Sequence, residues 1–410
     1  MFKNYLMVAV RNLKRQKGYS LINILGLAIG MALCLLILVY VQDELSYDGF
    51  HEKADRIYRI AQVEDHDGQI LHYMRIGGGI NSRLETDFPE SIEKTARLLP
   101  TGEVWTRFDD KLYREDRIYV ADETFFDIFS FEFLDGDPET ALKEPNSIVL
   151  NRTTAEKYFG SINCLGKMVR VDIPGAPLIE VKGVVEDMPV NSHFHPDALV
   201  SFSTIVNEQN EQFFNQVFGN TVWSYILLKE DYPIANLESR LPEFLDKHLD
   251  ENLKNRLKEL YPQPLKDIHL RSSTDPFTEI EPENTGNITY LYIFSAIAFL
   301  VLLVACINFM NLATARSARR AREVGMRKVV GAVKQQLIRQ FIGESMFIAV
   351  LALPVAIGLA YLFLPVFNSL TGKEMGVSYF SNLVLLPALL AIVLFVGFVA
   401  GSYPAFFLSA

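Results

Sequence analysis

Residues 315–339 read Ala-Arg-Ser-Ala-Arg-Arg-Ala-Arg-Glu-Val-Gly-Met-Arg-Lys-Val-Val-Gly-Ala-Val-Lys-Gln-Gln-Leu-Ile-Arg, and a long apolar run lies on each side of them. The stretch holds eight of the 39 Lys and Arg residues of the chain and a single acid, Glu323. Short loops rich in Lys and Arg between membrane spans stay on the cytoplasmic side. The sequence therefore predicts a multi-span membrane protein with this stretch in the cytoplasm.

Four apolar runs are long enough to cross a bilayer, which takes about 20 residues in a helix. They cover residues 21–41, 290–312, 341–370 and 382–410. The first two carry no charge, and the third contains only Glu344, near its start. We predict a transmembrane helix for each run, and hence a chain that crosses the membrane four times.

The charges beside the spans predict their orientation. The first 20 residues contain five Lys and Arg and no acid, whereas acids dominate at both ends of the segment between the first two spans. By the positive-inside rule both termini lie in the cytoplasm, and residues 42–289 and the loop 371–381 lie outside. No small-residue cleavage site follows the first span, so it is predicted to be a retained anchor. Residues 1–20 are predicted to hold an amphipathic helix at the cytoplasmic interface, with a disordered basic tail as the alternative.

Residues 42–289, here termed the inserted domain, carry 25 Lys and Arg against 46 Asp and Glu, a formal net charge of −21. Solubility explains such a charge, and attraction of cationic substrates is the alternative. The charge argues against nucleic acid as a partner. Because Cys164 is the single cysteine of the domain, no disulfide can form within it, and the domain depends on its own hydrophobic core.

Strand-like and helix-like patterns alternate along the inserted domain, which predicts an α+β fold. The predicted strands cover residues 56–64, 147–150, 167–172 and 179–185. Short helices are predicted over 81–88 and 153–159. A longer amphipathic helix is predicted over 237–260, followed by an irregular stretch rich in proline.

Two motifs of the inserted domain are candidate sites. His193 and His195 could lie on one face of a strand and bind a metal with Asp197, but no further Cys or His cluster accompanies them, so a loop ending in a strand is favoured. Residues 77–79 are three glycines that could cradle an anion, but the sequence around them lacks the P-loop pattern, so a flexible turn is favoured. We find no Ser/His/Asp or Cys/His arrangement. The sequence therefore predicts no enzyme, no metal and no cofactor.

Polar residues inside the predicted spans have structural explanations. Asn308 and Asn311 lie near the inner end of the second span, where hydrogen bonding between helices is the usual role of such amides. Glu344 lies about one turn into the third span. It either snorkels to the interface or contacts the basic stretch.

The basic stretch itself has two interpretations. It is either a solvated loop that only sets topology or a short helical element that docks into a groove of a partner. Gly325 and Gly331 allow a bend between a helix that leaves the membrane and one that returns. Apolar residues at helical spacing favour the docking element; they are Val329, Val330, Val333, Leu337 and Phe341.

Residues 322–332 of this stretch read Arg-Glu-Val-Gly-Met-Arg-Lys-Val-Val-Gly-Ala. This sequence resembles the cytoplasmic coupling segment of MacB/FtsX-type ABC transporter permeases. The resemblance spans nearly the whole chain. It includes Asn-Leu-Lys-Arg-Gln-Lys-Gly-Tyr-Ser-Leu-Ile-Asn-Ile-Leu-Gly-Leu from residue 12, Val-Ala-Asp-Glu-Thr-Phe-Phe-Asp-Ile-Phe from residue 120 and Gly-Ser-Tyr-Pro-Ala-Phe-Phe-Leu-Ser-Ala at the end. These motifs are most similar to those of permeases from Bacteroidetes-type bacteria, which are often described as exporters of antimicrobial peptides or macrolides.

The resemblance implies a membrane protein of the bacterial inner membrane in which a large α+β extracytoplasmic domain is inserted between spans 1 and 2 of four. In the family, two such halves pair over two cytoplasmic ABC ATPase subunits, whose closure moves the spans and the outer domains. Residues 313–340 would be the coupling segment that docks on the ATPase. The residues implied in docking are Arg316, Arg319, Arg320, Glu323, Val324, Gly325, Met326, Arg327, Lys328 and Gly331.

The implied partners are the ATPase, the lipid bilayer and a second permease half, either a second copy or a fused repeat, with a membrane-fusion protein as a further candidate. Many relatives that share these motifs continue into a second, similar half. The implied function is export of peptides, macrolides or other amphipathic substrates. An FtsX-like regulator of cell-wall enzymes is the alternative, and a membrane sensor is a weaker one, because two spans rather than a signalling domain follow the basic stretch.

Overall fold

The structure is a computed structural model with two compact units. It describes residues 17–173, 178–207, 209–272, 285–315, 334–373, 375–376 and 385–409. Residues 1–43 with 289–410 form one unit, here termed the membrane unit, and Glu44–Ile288 form the compact part of the inserted domain. Residues 1–16 of the predicted amphipathic helix, most of the predicted loop 371–381 and the greater part of the coupling segment lie outside the described residues.

The described residues contain twelve α-helices. They are α1 (Lys17–Glu44), α2 (Ile80–Asp87), α3 (Phe125–Ile128), α4 (Arg152–Phe159), α5 (Glu211–Phe214), α6 (Ile234–Glu238), α7 (Leu241–His248), α8 (Glu251–Arg256), α9 (Ile268–Arg271), α10 (Ile288–Ala315), α11 (Lys334–Thr371) and α12 (Leu385–Ser409). Three single turns of 3₁₀-helix accompany them, at Ala54–Arg56, Phe202–Thr204 and Leu265–Asp267. The long helices among them lie in the membrane unit, apart from the last residue of α1 and the first residue of α10.

All strands among the described residues lie in the inserted domain. They are β1 (Ile57–His66), β2 (Gln69–Tyr73), β3 (Ile92–Pro100), β4 (Val104–Phe108), β5 (Lys111–Glu115), β6 (Ile118–Ala121), β7 (Phe133–Gly136), β8 (Ser147–Asn151), β9 (Met168–Val171), β10 (Ile179–Val185), β11 (Ala198–Ser201), β12 (Trp223–Leu228) and β13 (Leu257–Pro264). The four strands and two short helices predicted from the sequence are confirmed to within two residues. Burial alternates along β9 and the start of β10, because successive strand residues face opposite sides of a sheet, whereas β8 is buried on both faces.

One mixed sheet joins these strands in the order β13-β1-β12-β3-β6-β11-β8-β10-β9-β4-β5, with β2 beside β1 and β7 beside β10. Neighbours are antiparallel except β8 with β10 and β6 with β11, which are parallel. Burial of apolar side chains divides among three clusters. One is rich in aromatic residues around Phe125, Phe129 and Phe194, and the other two centre on β8 to β10 and on the helices α2 and α7. The inserted domain thus has the self-sufficient core that its lack of disulfides requires.

The predicted helix over 237–260 is wrong in part. Three short helices, α6, α7 and α8, replace it as far as Arg256, and its last four residues belong to β13. Pro242 lies in the first turn of α7, where proline is tolerated but cannot continue a preceding helix. The side chain of Asp250 then caps α8 by accepting a hydrogen bond from the backbone nitrogen of Leu253 at 2.9 Å. Tertiary pairing overrides the leucine spacing, which fits either element.

The predicted irregular stretch after residue 260 is wrong at its start, because residues 261–264 complete β13, and a 3₁₀ turn and α9 follow as far as Arg271. Pro276 and Pro282, which also marked that stretch, lie outside the described residues. Pro262 and Pro264 pair in register with Ile60 and Tyr58 of β1. β13 is the last strand of the sheet order, and proline is tolerated in an edge strand because no ladder bond is needed from its nitrogen.

In the part of the membrane unit that the structure describes, four helices are long and apolar enough to cross a bilayer: α1, α10, α11 and α12. One apolar cluster joins α1, α10, α11 and α12 and contains Leu27, Met31, Leu35, Cys306 and Val396. The predicted fold class is confirmed: four transmembrane helices, with a large domain of helices and strands between the first and the second.

Candidate functional site

The ten predicted docking residues lie between residues 316 and 331, outside the described residues. The structure describes the two helices that bracket them: α10 ends at Ala315, and α11 begins at Lys334. In the last turns of α10 the hydroxyl of Thr314 donates to the carbonyl oxygen of Met310 at 2.6 Å. The assignment of those ten residues to docking stays a prediction.

Glu344 lies in the third turn of α11. The side chain of Gln340, one turn earlier, donates to Glu344 Oε1 at 3.0 Å. This bond within the helix satisfies part of the carboxylate, and the side chain is half-buried. Both interpretations of Glu344 are compatible with this geometry.

The membrane helices pack in two close pairs through glycine. A Cβ atom added at Gly30 of α1 would lie 2.7 Å from the Cβ of Ala305 in α10. A Cβ added at Gly397 of α12 would lie 2.7 Å from Met346 Sδ and 2.9 Å from Met346 Cα in α11. Real Cβ contacts are not that short, so glycine is required for these backbones to approach. The helices that flank the coupling segment are therefore each held closely to a second helix.

Amide side chains in the membrane unit are poorly satisfied by the described residues. Asn23 in α1 is buried, and neither of its amide atoms has a hydrogen-bond partner there. Asn308 and Asn311 in α10 are exposed on the surface of the unit. An amide that faces hydrocarbon without a partner costs free energy, so these positions call for further contacts.

The inserted domain begins and ends at a buried polar pair. Glu44, the last residue of α1, lies 3.0 Å from Nε2 of His269 in α9, and both side chains are almost fully buried. The ring of Tyr47 stacks on that of His269 with centroids 3.4 Å apart. Gly286, just before α10, lies against both partners, since a Cβ there would be 2.7 Å from each. The entering and the leaving chain thus meet at this pair.

A second buried hydrogen-bond network includes Asp48, four residues after Glu44, and is centred on His193. Its Nδ1 lies 2.8 Å from Asp48 Oδ1, and its Nε2 lies 2.8 Å from the hydroxyl of Tyr225. His195 instead contacts the carbonyl oxygen of Pro189 at 3.0 Å. Both imidazoles are thus engaged in separate hydrogen bonds, and the described residues contain no group of three metal-ligand side chains. The favoured interpretation, a loop that leads into a strand, agrees with residues 191–197 preceding β11.

Burial and charge shift the acid–base behaviour of this network. Burial opposes ionisation of Asp48, but the adjacent His193 and its hydrogen bonds outweigh that effect and hold the pKa of the Asp48 carboxyl below its usual value. Burial lowers the pKa of His51 to about 4, against the weaker opposing effect of Asp48. The nitrogen Nδ1 of His51 accepts a hydrogen bond from the backbone of Ser130 at 3.1 Å, so His51 is a neutral acceptor at neutral pH.

Residues 77–79 form a turn, as predicted, but the turn is packed tightly against other backbone atoms rather than being flexible. Cβ atoms added at Gly77, Gly78 and Gly79 would lie 2.1–2.4 Å from carbonyl oxygens of residues 214–217. The backbone nitrogen of Gly79 donates to the carbonyl oxygen of Gln216 at 2.9 Å. The three glycines therefore let two backbone segments pack directly on each other. Sequence reasoning missed this role, because the partner segment is far away in the chain.

Two family models match the chain. The model described as MacB-like periplasmic core domain matches residues 20–243, more than half of the chain, and the model described as FtsX-like permease C-terminal matches residues 295–409. Curated relatives include macrolide export ATP-binding/permease proteins MacB. That of Neisseria gonorrhoeae is 24% identical over 254 residues, covering 61% of this chain and 36% of the relative, and that of Aggregatibacter actinomycetemcomitans is 26% identical over 245 residues, covering 59% and 34%. The chain spans about a third of the length of the curated relatives it matches.

Two solved structures show likeness to about half of the chain. A domain of a putative permease protein from Porphyromonas gingivalis is 24% identical, with a TM-score of 0.44 over 52% of this chain and 92% of that domain. The periplasmic region of MacB from Actinobacillus actinomycetemcomitans is 15% identical, with a TM-score of 0.37 over 52% of this chain and 91% of that region. Together the two family models match parts of all four spans and most of the domain between the first two. The chain therefore belongs to the MacB/FtsX-type ABC transporter permeases.

Proposed function

We propose that this chain is a permease subunit, or half, of an ABC transporter of the bacterial inner membrane. A separate cytoplasmic ATPase would drive movement of the inserted domain, for export of peptides, macrolides or other amphipathic substrates. The observation that carries the proposal is the segment rich in Lys and Arg between α10 and α11, in a chain of this family. Both termini and this segment would face the cytoplasm.

The ATPase would dock on the ten residues predicted above, within residues 316–331. Val324 and Met326 would supply apolar contacts, and the flanking arginines would meet acidic groups at the rim of a groove. Gly325 and Gly331 would permit the bends on either side. None of these residues performs chemistry, because ATP hydrolysis belongs to the partner.

The packing of the membrane unit suggests how movement would travel. α10 follows the inserted domain, α1 precedes it, and the two helices pack closely at Gly30 and Ala305. A displacement of α10 by the coupling segment would therefore be shared with α1. The inserted domain would receive the displacement at both of its ends.

A second permease half would complete the membrane unit. Asn308 and Asn311 are exposed on α10, and a facing helix would satisfy their amides better than lipid does. Large apolar side chains surround them on the same surface, including Val304 and Ile307. This half would be a second copy of the chain or a fused repeat.

The test is co-purification with the cognate ATPase from membranes. Met326→Ala combined with Arg327→Ala should weaken binding at least about tenfold, because contacts buried at an interface commonly cost roughly 1–4 kcal/mol when truncated. The matched control is Val190→Ala with Lys143→Ala, one exposed apolar and one exposed basic residue of the inserted domain. Membrane insertion should be normal in both variants.

A chain that lacks residues 44–288 should still bind the ATPase, because the coupling segment is retained. If that deletion abolishes binding while the double alanine variant binds like the wild type, the coupling assignment is wrong.

A further inference from the structure

One open face of the sheet in the inserted domain combines large apolar side chains with arginine. It is formed by β5, β4 and β9, which are neighbours at one end of the strand order. Trp105, Leu112 and Met168 are 49%, 51% and 41% exposed there, and Arg107 and Arg170 are exposed beside them. We call these five residues the Trp105 face.

The other side of the same three strands is core, which fixes the orientation of the Trp105 face. Val104 and Thr106 of β4 alternate with Trp105 and Arg107 and are buried. The hydroxyl of Thr106 lies 2.7 Å from that of Tyr158, which donates to the buried carboxylate of Glu115 at 2.8 Å. A slip of register would bury the arginines and expose these groups, so the face is rigidly specified.

Arg107 and Arg170 lie directly opposite each other in the antiparallel pairing of β4 with β9. Among the described residues neither guanidinium has an ion-pair or hydrogen-bond partner, whereas nearby Arg114 pairs with Glu103. Like charges directly opposite in a sheet are destabilising. The isolated domain therefore bears a cost at this position that a carboxylate between the two arginines would remove.

The residue types point to a protein as the occupant. Protein interfaces are enriched in Trp, Met and Arg, and their strongest contacts are most often Trp, Tyr and Arg. The chain contains two tryptophans; Trp223 is buried in the core, and Trp105 is presented to solvent. Clusters that bind anionic lipids typically hold about four to eight basic residues, and this face has two unpaired ones among three apolar side chains.

We propose that the Trp105 face is a docking site for a partner protein on the same side of the membrane, which binds through a segment that presents carboxylates and apolar side chains. Charge complementarity carries the choice, since these two unpaired arginines belong to a domain of net charge −21. A carboxylate of the partner bridges Arg107 and Arg170, and apolar side chains cover Trp105 and Leu112. The site is separate from the coupling segment, so it does not depend on the proposed ATPase.

The test uses the full chain in nanodiscs of zwitterionic lipid and a fluorescein-labelled peptide of alternating Glu and Leu. Binding should be saturable and should shift the emission of Trp105. Arg170→Glu, and Arg107→Glu with Arg170→Glu, should weaken it at least about tenfold. Lys143→Glu, which makes the same charge change at an exposed base elsewhere on the domain, should bind the peptide like the wild type.

Three probes distinguish other occupants. A copy of the peptide with Gln in place of Glu should bind at least about tenfold more weakly, and polygalacturonate and vesicles of phosphatidylglycerol should not compete with the acidic peptide. Equal binding by the wild type and Arg170→Glu, equal binding of the Gln peptide, or preferential binding of the glycan or the vesicles would each overturn the proposal. Failure of the acidic peptide to bind the wild type would also overturn it. No ATPase is present in any of these measurements, so the result does not depend on the proposed coupling.

Discussion

The membrane unit and the inserted domain differ in the amide side chains that they expose rather than in the polar groups that they bury. In the inserted domain, His193 is satisfied on both ring nitrogens by Asp48 and Tyr225. In the membrane unit, buried Asn23 finds no partner among the described residues, and two further amides of α10 lie exposed. Buried polar groups are costly unless paired. Buried Asn81 of the inserted domain also has no partner among the described residues, so burial alone does not separate the two units. Water satisfies exposed amides on the inserted domain, whereas hydrocarbon cannot satisfy the two exposed amides of α10. The comparison indicates that the membrane unit is one part of a larger assembly, whereas the inserted domain, with three apolar clusters of its own, is complete in itself.

The largest expected effect tests whether the inserted domain is complete in itself. Residues 44–288 produced without the spans should melt cooperatively, with no need for metal. Gly77→Ala should destabilise this domain by about 3 kcal/mol or more, because its Cβ would lie 2.3 Å from the backbone oxygen of Val217. Thermal or urea unfolding measures the loss.

The matched control for Gly77→Ala is Gly160→Ala. Gly160 has φ of +71° and open space around its Cα, so alanine there should cost about 1 kcal/mol through conformation alone. Equal losses for the two variants would contradict the packing role of residues 77–79.

A smaller effect is expected from acidification, because His51 is buried beside Asp48 and His193. His51 has a pKa of about 4 in the folded domain and about 6.5 when unfolded. As the pH falls from 6.5 towards 4, the unfolded chain binds a proton that the folded domain excludes, so stability decreases. The loss should be roughly 2 kcal/mol between pH 7 and pH 5. The lowered pKa of Asp48 adds a loss only below its ordinary value of 3.8.

The measurement is urea unfolding of the inserted domain at a series of pH values. In His51→Asn the amide oxygen can still accept from Ser130, but the titrating group is gone, so the slope between pH 7 and pH 5 should flatten. An unchanged slope in this variant would assign the acid sensitivity to other groups.

The smallest expected effect tests whether the membrane unit is part of a larger assembly. Asn308→Leu with Asn311→Leu should weaken association of two membrane units by roughly 1 kcal/mol, the usual scale of an interhelical hydrogen bond in a bilayer. Energy transfer between labelled chains in nanodiscs measures the dimer fraction. Val304→Leu, on the same exposed surface, is the control. Stronger association after removal of the amides would contradict their role at an interface.

Sequence patterns predicted the two regions to different depths. Uncharged runs predicted the membrane helices because the bilayer imposes one requirement on every residue of a span. Alternation predicted β1 and β10, but leucine spacing failed at Leu257, where pairing with β1 decides between helix and strand. Neither the packing of residues 77–79 nor the Trp105 face could be predicted. Both depend on which distant strands and segments become neighbours, and a single sequence does not contain that register.

The length of α11 has a mechanical consequence. Its 38 residues form one continuous helix through Pro354 and Pro365, about 57 Å long at a rise of about 1.5 Å per residue. The hydrocarbon core of a bilayer is about 30 Å thick, and even a tilt of about 40° would use only about 39 Å of the helix. α11 is therefore longer than the hydrocarbon core that it crosses. If the part of α11 inside the bilayer acts as the pivot, a sideways displacement of one end of the helix moves the other end in the opposite direction. The two displacements are in proportion to the lengths of helix on either side of the pivot.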